Sequence, residues 1–240
     1  MSPCFASNKR VLVVVAHQDD EALFCGGLLS QIRGTGEVAV ICMSQPKHAR
    51  TVEGRNQCFR QVCERAGAQA ILTTFPEARH VWSSAELLWR QRPEQIVAMQ
   101  EFLRVQAGAL RPEIVITHNA AGEYGHCYHK VVHRVCRHVF PPDNLYFIGI
   151  GSREDAGQRF VVTCDPSKKK ELLECHPYLD ATAFGKRHFG RVITYEPETY
   201  IACGKQEYPA APLGSVALAR QLAGDFLAFW IGKLRAKVTG

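Results

Sequence analysis

Apolar residues in the first two thirds of the chain fall into short continuous runs separated by longer amphipathic stretches. Val11–Val15 is five consecutive apolar residues, mostly β-branched, which predicts a strand buried on both faces. Residues 22–33 then place Leu23, Leu28, Leu29 and Ile32 at helical spacing, and Gly34-Thr35-Gly36 ends that helix. The alternation continues with a strand over 38–43, a helix over 52–66 closed by Gly67, and a short strand over 70–74. Pro93 opens a further helix carrying Ile96, Val97, Met99, Phe102, Leu103 and Val105. Ile114–Thr117 reads as a fourth strand, residues 130–140 as a helix stopped by Pro141-Pro142, and residues 145–150 as a fifth strand. Strands alternating with helices in this way predict an α/β architecture, a mostly parallel sheet with right-handed crossovers.

Beyond residue 150 the pattern loosens. A strand is expected over 160–163, a helix over 166–176 and a β-leaning stretch over 190–202. Residues 215–238 form an amphipathic pattern with Val216, Leu222, Phe226, Phe229, Trp230 and Leu234 leaning to one side. A helix covering the core is the preferred reading; a membrane-surface face or the face of a homo-oligomer is the alternative. At 240 residues the chain is read as a single domain.

Composition changes this picture little. Apolar residues at 46% and charged residues at 22% are ordinary for a globular protein. The net charge of +6 is concentrated only at Lys168-Lys169-Lys170, read as a solvated helix start. With no aromatic-and-basic ladder and no zinc-finger spacing, nucleic acid is not an expected partner. Ten cysteines are scattered singly without a CxxC pair, which points to reduced, buried thiols and a cytoplasmic setting. No apolar stretch approaches the ~18 residues of a spanning helix, so no stable membrane insertion is expected. Trp82 and Trp89 are placed in the core in preference to a cleft, and Gly26-Gly27 reads as a close-packing site.

Candidate chemistry lies where two of the strands end. Val11–Val15 runs directly into Ala16-His17-Gln18-Asp19-Asp20-Glu21, and Ile114–Thr117 into His118-Asn119 and then Gly122-Glu123-Tyr124-Gly125-His126-Cys127-Tyr128-His129. Ligands of open α/β sheets bind at the C-terminal ends of strands. His17 and Asp20 are three residues apart at a helix entry, and so are His126 and His129, so each pair can share a face. If the two strands are neighbours, the four groups converge. Catalytic zinc takes three protein ligands and keeps a position for water, which His17, Asp20 and one of the downstream histidines would satisfy. Asp19 would then take the water's proton, and the second histidine would stabilise an oxyanion. An imidazole–carboxylate donor set also suits iron(II) or cobalt(II).

Together the two segments resemble the PIG-L/LmbE-like family of zinc-dependent N-deacetylases, whose motifs are AHPDDE and a later GHPDH-type segment. The resemblance implies a Rossmann-like core over residues 1–150, with residues 151–240 carrying substrate specificity. It implies that His17, Asp20 and His129 bind the metal, that Asp19 is the general base, and that His126 is a charged histidine assisting the oxyanion and the leaving amine. Tyr124 matches a tyrosine that polarises the acetyl carbonyl, and Arg55 a substrate-contacting arginine. Gln18 stands where the family has proline, and Tyr128 where it has an aspartate that holds the catalytic histidine's charge; Glu123 is a candidate substitute for that aspartate.

The expected partner is a small N-acetylated sugar conjugate, with Tyr178, Phe184, Phe189 and Tyr195 as candidates to stack on the sugar. The expected activity is removal of acetyl from an N-acetylglucosamine-type amino sugar in a soluble glycoconjugate, such as an intermediate of antibiotic assembly. A zinc amidase acting on a thiol-conjugate amide, and a sugar- or metal-binding relative without turnover, are the competing readings.

Overall fold

The computed structural model describes residues 8–45, 49–77, 92–123, 125–150, 158–181 and 197–203. A seven-stranded sheet organises them. Its strands are β1 (Val11–Val15), β2 (Val38–Cys42), β3 (Gln69–Leu72), β4 (Ile114–Thr117), β5 (Leu145–Ile148), β6 (Arg159–Val162) and β7 (Glu198–Ala202), in the order β3-β2-β1-β4-β5-β7-β6. The first five are parallel, as the βα alternation predicts, with Val14 opposite Ile41 on one side and Thr117 on the other. β7 runs antiparallel to β5, and β6 antiparallel to β7. The less regular C-terminal part thus supplies two strands of the same sheet.

Helices cover both faces, which is why β1 has no polar position. Val11, Val13 and Val15 pack with α1 (Asp20–Gln31) and α2 (Ala49–Ala66) through Phe24, Leu28, Phe59 and Val62. Leu12 and Val14 point the other way, against α3 (Pro93–Leu110) and α4 (Cys127–Val139), where they meet Ile96, Met99, Leu103, Val131 and Val135. A strand that alternates between two apolar layers must be apolar throughout.

Past the sheet's centre, α5 (Pro166–Leu173) packs on α1 and is followed by the short α6 (Pro177–Ala181). Gly27 has no room for a side chain: a Cβ there would lie 2.5 Å from Cys164 Sγ and 3.0 Å from Glu198 Cδ, so close packing accounts for this glycine. One expectation fails nearby. Lys169 is not solvated but 1% exposed, with its Nζ 2.7 Å from Glu198 Oε1, while Lys168 and Lys170 stay exposed. Trp82, Trp89, Phe184, Phe189, Tyr195 and the amphipathic stretch 215–238 lie outside the described residues. Among the described residues, no helix is long and apolar enough to cross a membrane.

Candidate metal centre

β1 and β4 are adjacent, but their following helices cover opposite faces of the sheet, which opens a crevice above the two strand ends. The turn after β1 brings His17, Asp19 and Asp20 to this crevice; the loop after β4 brings His118, Glu123, His126 and His129. That loop is tightly wound. Gly122 has φ +67, and a Cβ on it would lie 2.5 Å from His126 O, so only glycine fits. His126 caps α4, its Nδ1 accepting the Tyr128 N–H.

Asp20 Oδ2 is the hub. It accepts the His17 backbone N–H at 2.8 Å and lies 3.4 Å from each of His17 Nδ1, His118 Nε2 and His129 Nε2. Burial opposes its charge, but His129, His118 and His17 together hold its carboxyl well below the usual carboxylate range. His17 is turned with Nε2 3.0 Å from Glu77 Oε1. Burial alone would lower the pKa of His17; Asp20 and Glu77 outweigh it and push it up to about 10.

Two groups of side chains offer ligand atoms close enough for one ion: His17, His126 and His129, and Asp20, His118 and His129. The expected set of His17, Asp20 and His129 draws on both and shares His129 with each. Hydrogen bonds distinguish the two central imidazoles. Ala16 N–H donates to His118 Nε2 at 2.9 Å, so that lone pair is already used, and the His118 proton sits on Nδ1, 3.0 Å from Glu123 Oε2. The nearby carboxylates favour a second proton on His118, but the Ala16 N–H leaves no place for it. His129 has the opposite use: Nδ1 donates to Glu123 Oε2 at 2.6 Å, which leaves its Nε2 lone pair directed at the Asp20 side. Burial and the neighbouring His118 lower the His129 pKa, consistent with a neutral ring.

Two of the three separations in the expected set suit a transition metal. Ligand atoms around tetrahedral zinc, with bonds of about 2.0–2.1 Å, stand roughly 3.3–3.4 Å apart. His17 Nδ1 and His129 Nε2 each have that separation from Asp20 Oδ2. Glu77 and Glu123 behind the two imidazoles provide the carboxylate–histidine support typical of metal ligands.

Asp19 lies beside this cluster, with Oδ2 3.2 Å from Arg55 Nη2. Burial and the neighbouring Asp20 push its carboxyl up to about 7, against the opposing effects of Arg55, His17 and His176. Arg55 also donates to Gln18 O at 2.9 Å and lies over the Tyr178 ring at 4.8 Å, so its guanidinium serves the chain's own turn. Burial, with His17 and His129 next to it, holds His126 well below the ordinary imidazole range. Glu123 does not stand in for the missing aspartate beside His126, because its oxygens are taken by His118, His129 and Asn119 N–H. Tyr128 turns its hydroxyl to Gln95 Nε2 at 2.9 Å. Gln18 does more than change the turn's stiffness: its buried amide donates to Asn56 Oδ1 at 2.9 Å and to Ser44 O at 3.3 Å. Tyr124 lies outside the described residues.

Sequence reasoning did not single out His118, Glu77 or His176. His118 and Glu77 each follow a predicted strand closely, a placement that could have drawn attention to them. His176, 155 residues from its partner Glu21, gave no local signal.

Among similar solved structures is the A40926 pseudoaglycone deacetylase Dbv21, at 15% identity and a TM-score of 0.59, covering 83% of this chain and 100% of that one. The zinc-inhibited form of teicoplanin deacetylase Orf2 aligns at 13% identity and a TM-score of 0.62, covering 80% and 96%. GalB of Pseudomonas putida, a 4-carboxy-2-hydroxymuconate hydratase, aligns at 16% identity and 0.52, covering 84% and 99%. At such identities the likeness concerns the fold, and a hydratase sharing it shows that the fold alone does not select a reaction. The family model for GlcNAc-PI de-N-acetylase matches residues 12–140, more than half of the chain and every strand end that builds the crevice. The chain therefore belongs to the PIG-L family of de-N-acetylases.

Proposed function

We propose that the protein is a metal-dependent hydrolase that removes the N-acetyl group from an N-acetylglucosamine-type amino sugar in a soluble glycoconjugate. The observation that carries this reading is the placing of His17 Nδ1 and His129 Nε2 at 3.4 Å from Asp20 Oδ2, with the Asp19 carboxylate alongside. His17, Asp20 and His129 would hold the ion; zinc is the preferred metal, with iron(II) and cobalt(II) suited to the same donors. When bound, such an ion supplies a Lewis acid and makes water a nucleophile near neutral pH.

The chain's own residues do the rest. Asp19 takes the water's proton, with a carboxyl brought to about 7, near the working pH of a general base. The proton taken by Asp19 is the one that goes to the leaving amine. His126, at the N-terminus of α4 with its ring centroid 4.6 Å from that of His129, is held neutral and not charged as expected, and its role is to relay that proton. Glu77 and Glu123 fix the rings of His17 and His129. Arg55 holds Asp19, and its contact with substrate, like the assignment of Tyr124 to the acyl oxygen, rests on the family resemblance alone. A cytoplasmic location fits this reading.

The Tyr128 hydroxyl, engaged with Gln95 and Pro76 O, supports a second reading, a metal-binding relative without turnover. One series separates the two. Acetate release from N-acetylglucosaminides is followed for the wild type, the chelated protein and Asp19→Asn. Metal-dependent release that falls about 10²–10⁴-fold in D19N supports the deacetylase. Stoichiometric metal with no release from any glucosaminide overturns it in favour of the binding relative, and cleavage of other amides alone redirects it to a different amidase.

A further inference from the structure

Asp19 is gripped at two points, and both grips lead to the same pair of residues in the C-terminal half. Its backbone N–H donates to Glu21 Oε2 at 2.9 Å, and the other oxygen, Glu21 Oε1, lies 2.6 Å from His176 Nε2. Its side-chain Oδ2 lies 3.2 Å from Arg55 Nη2, and Arg55 faces the ring of Tyr178. The Tyr178 hydroxyl donates to Gln18 O, the carbonyl that also receives Arg55. That hydroxyl has one proton, so at 2.9 Å from His176 Nδ1 it accepts from that nitrogen. His176 therefore donates from both nitrogens, to Glu21 and to Tyr178, as an imidazolium. Glu21 and His176 are almost fully buried, so the pair is shielded from solvent.

From this closed circuit we propose that His176 and Tyr178 are positioning residues, a clasp from the end of the α5–α6 junction and the first turn of α6 that fixes both the amide and the carboxylate of Asp19. The proposal rests on the reading of Asp19 as the base. It assigns a role to a part of the chain beyond residues 12–140, the span that the family model matches. Burying a charged imidazole against Glu21 costs desolvation, which the two short hydrogen bonds offset; its use is a single orientation for the neighbouring carboxylate. Neither residue lies within the metal cluster, so losing the clasp should disturb turnover far more than metal uptake.

The test uses the full chain with His176→Gln and Tyr178→Phe, each checked for cooperative unfolding. Zinc content, kcat and KM are measured with an aryl N-acetyl-β-glucosaminide, and exchange of the Asp19 amide is measured in the metal-free protein. The clasp predicts zinc content and KM within about twofold of wild type while kcat falls roughly tenfold to a hundredfold, because misplaced groups lose rate more than binding. It also predicts that the Asp19 amide exchanges at least about tenfold faster in H176Q. Unchanged exchange in H176Q overturns the clasp, as does a loss that appears in zinc content or KM with kcat retained. If the wild type releases no acetate, the proposed function fails instead, and the exchange measurement decides the clasp by itself. Should H176Q not fold, Y178F carries the same two readouts.

Discussion

Glu123 Oε2 lies 2.6 Å from His129 Nδ1 and thereby decides which nitrogen of that ring faces Asp20. A carboxylate fully removed from solvent at this place is costly unless its charge is used. His118 and His129 supply that use, and against the penalty of burial they pull Glu123 down to about 2. The pair orients a ring and raises its basicity at once. Glu123→Gln should therefore fold yet bind zinc roughly 10–100-fold more weakly, as loss of an outer carboxylate typically does. Competition with a chromophoric chelator measures this directly, and wild-type affinity in E123Q would show that the ring needs no carboxylate behind it.

His17 makes metal uptake a proton exchange. Its pKa of about 10 in the metal-free protein means that the ring is protonated at neutral pH, and a ligand nitrogen must lose that proton. Asp20 is already ionised and His129 already neutral, so neither adds to the count. Calorimetry at about pH 8, where Asp19 is mostly ionised, in buffers of different ionisation enthalpy should report close to one proton released per zinc bound. The sign follows: affinity should fall about tenfold for each pH unit lowered below the His17 pKa. Binding without proton release would remove His17 from the ligand set.

Gln18 occupies a family proline position and fills it with a hydrogen-bonding tie. Its amide reaches Asn56 on α2 and Ser44 O beyond β2, all within the buried interior. Gln18→Leu strands the Asn56 carbonyl, a cost of about 1–3 kcal/mol. Urea unfolding measures it. Adding Asn56→Leu should recover part of the loss, so the double variant is less destabilised than the sum of the two singles.

Much of this protein is written locally. The continuous apolar runs of β1 and β4 marked central strands, and the change to polar residues at their ends marked the crevice, because burial on two faces leaves no other pattern. The ligand spacing was equally local: His17 and Asp20, or His126 and His129, need only one turn of backbone to meet. What could not be read is what depends on distant pairing. Glu77 lies 60 residues from His17, and His176 lies 155 from Glu21; no short-range pattern selects either partner. The strands β6 and β7 were legible as a strand over 160–163 and a β-leaning stretch over 190–202, but their antiparallel pairing was not, since joining an existing sheet edge is a property of that edge and not of their own four or five residues.

Lys169 is the sharpest case, a residue whose neighbours in sequence share its type and not its place. Glu198 takes its ammonium at 2.7 Å and accepts the N–H groups of Gly27 and Leu28 at 2.8 Å each, inside α1. The Tyr200 hydroxyl donates its one proton to the same carboxylate at 2.8 Å and lies 3.1 Å from Phe24 O. The cluster thus joins α1, α5 and β7 through one buried charge pair beneath the helix that starts at Asp20. Lys169→Met keeps the aliphatic stem but leaves Glu198 with a charge met only by neutral donors, and removing one partner of a buried pair costs about 3–5 kcal/mol. Lys168→Met and Lys170→Met, both on the exposed face, should stay within about 0.5 kcal/mol of wild type, although Lys170 has a 3.7 Å pair with Glu174. Urea midpoints of the three variants test this contrast. Equal, small effects at all three positions would mean that the Lys169 ammonium contributes little to the packing of α1 against α5, and that Glu198 is held by the backbone alone.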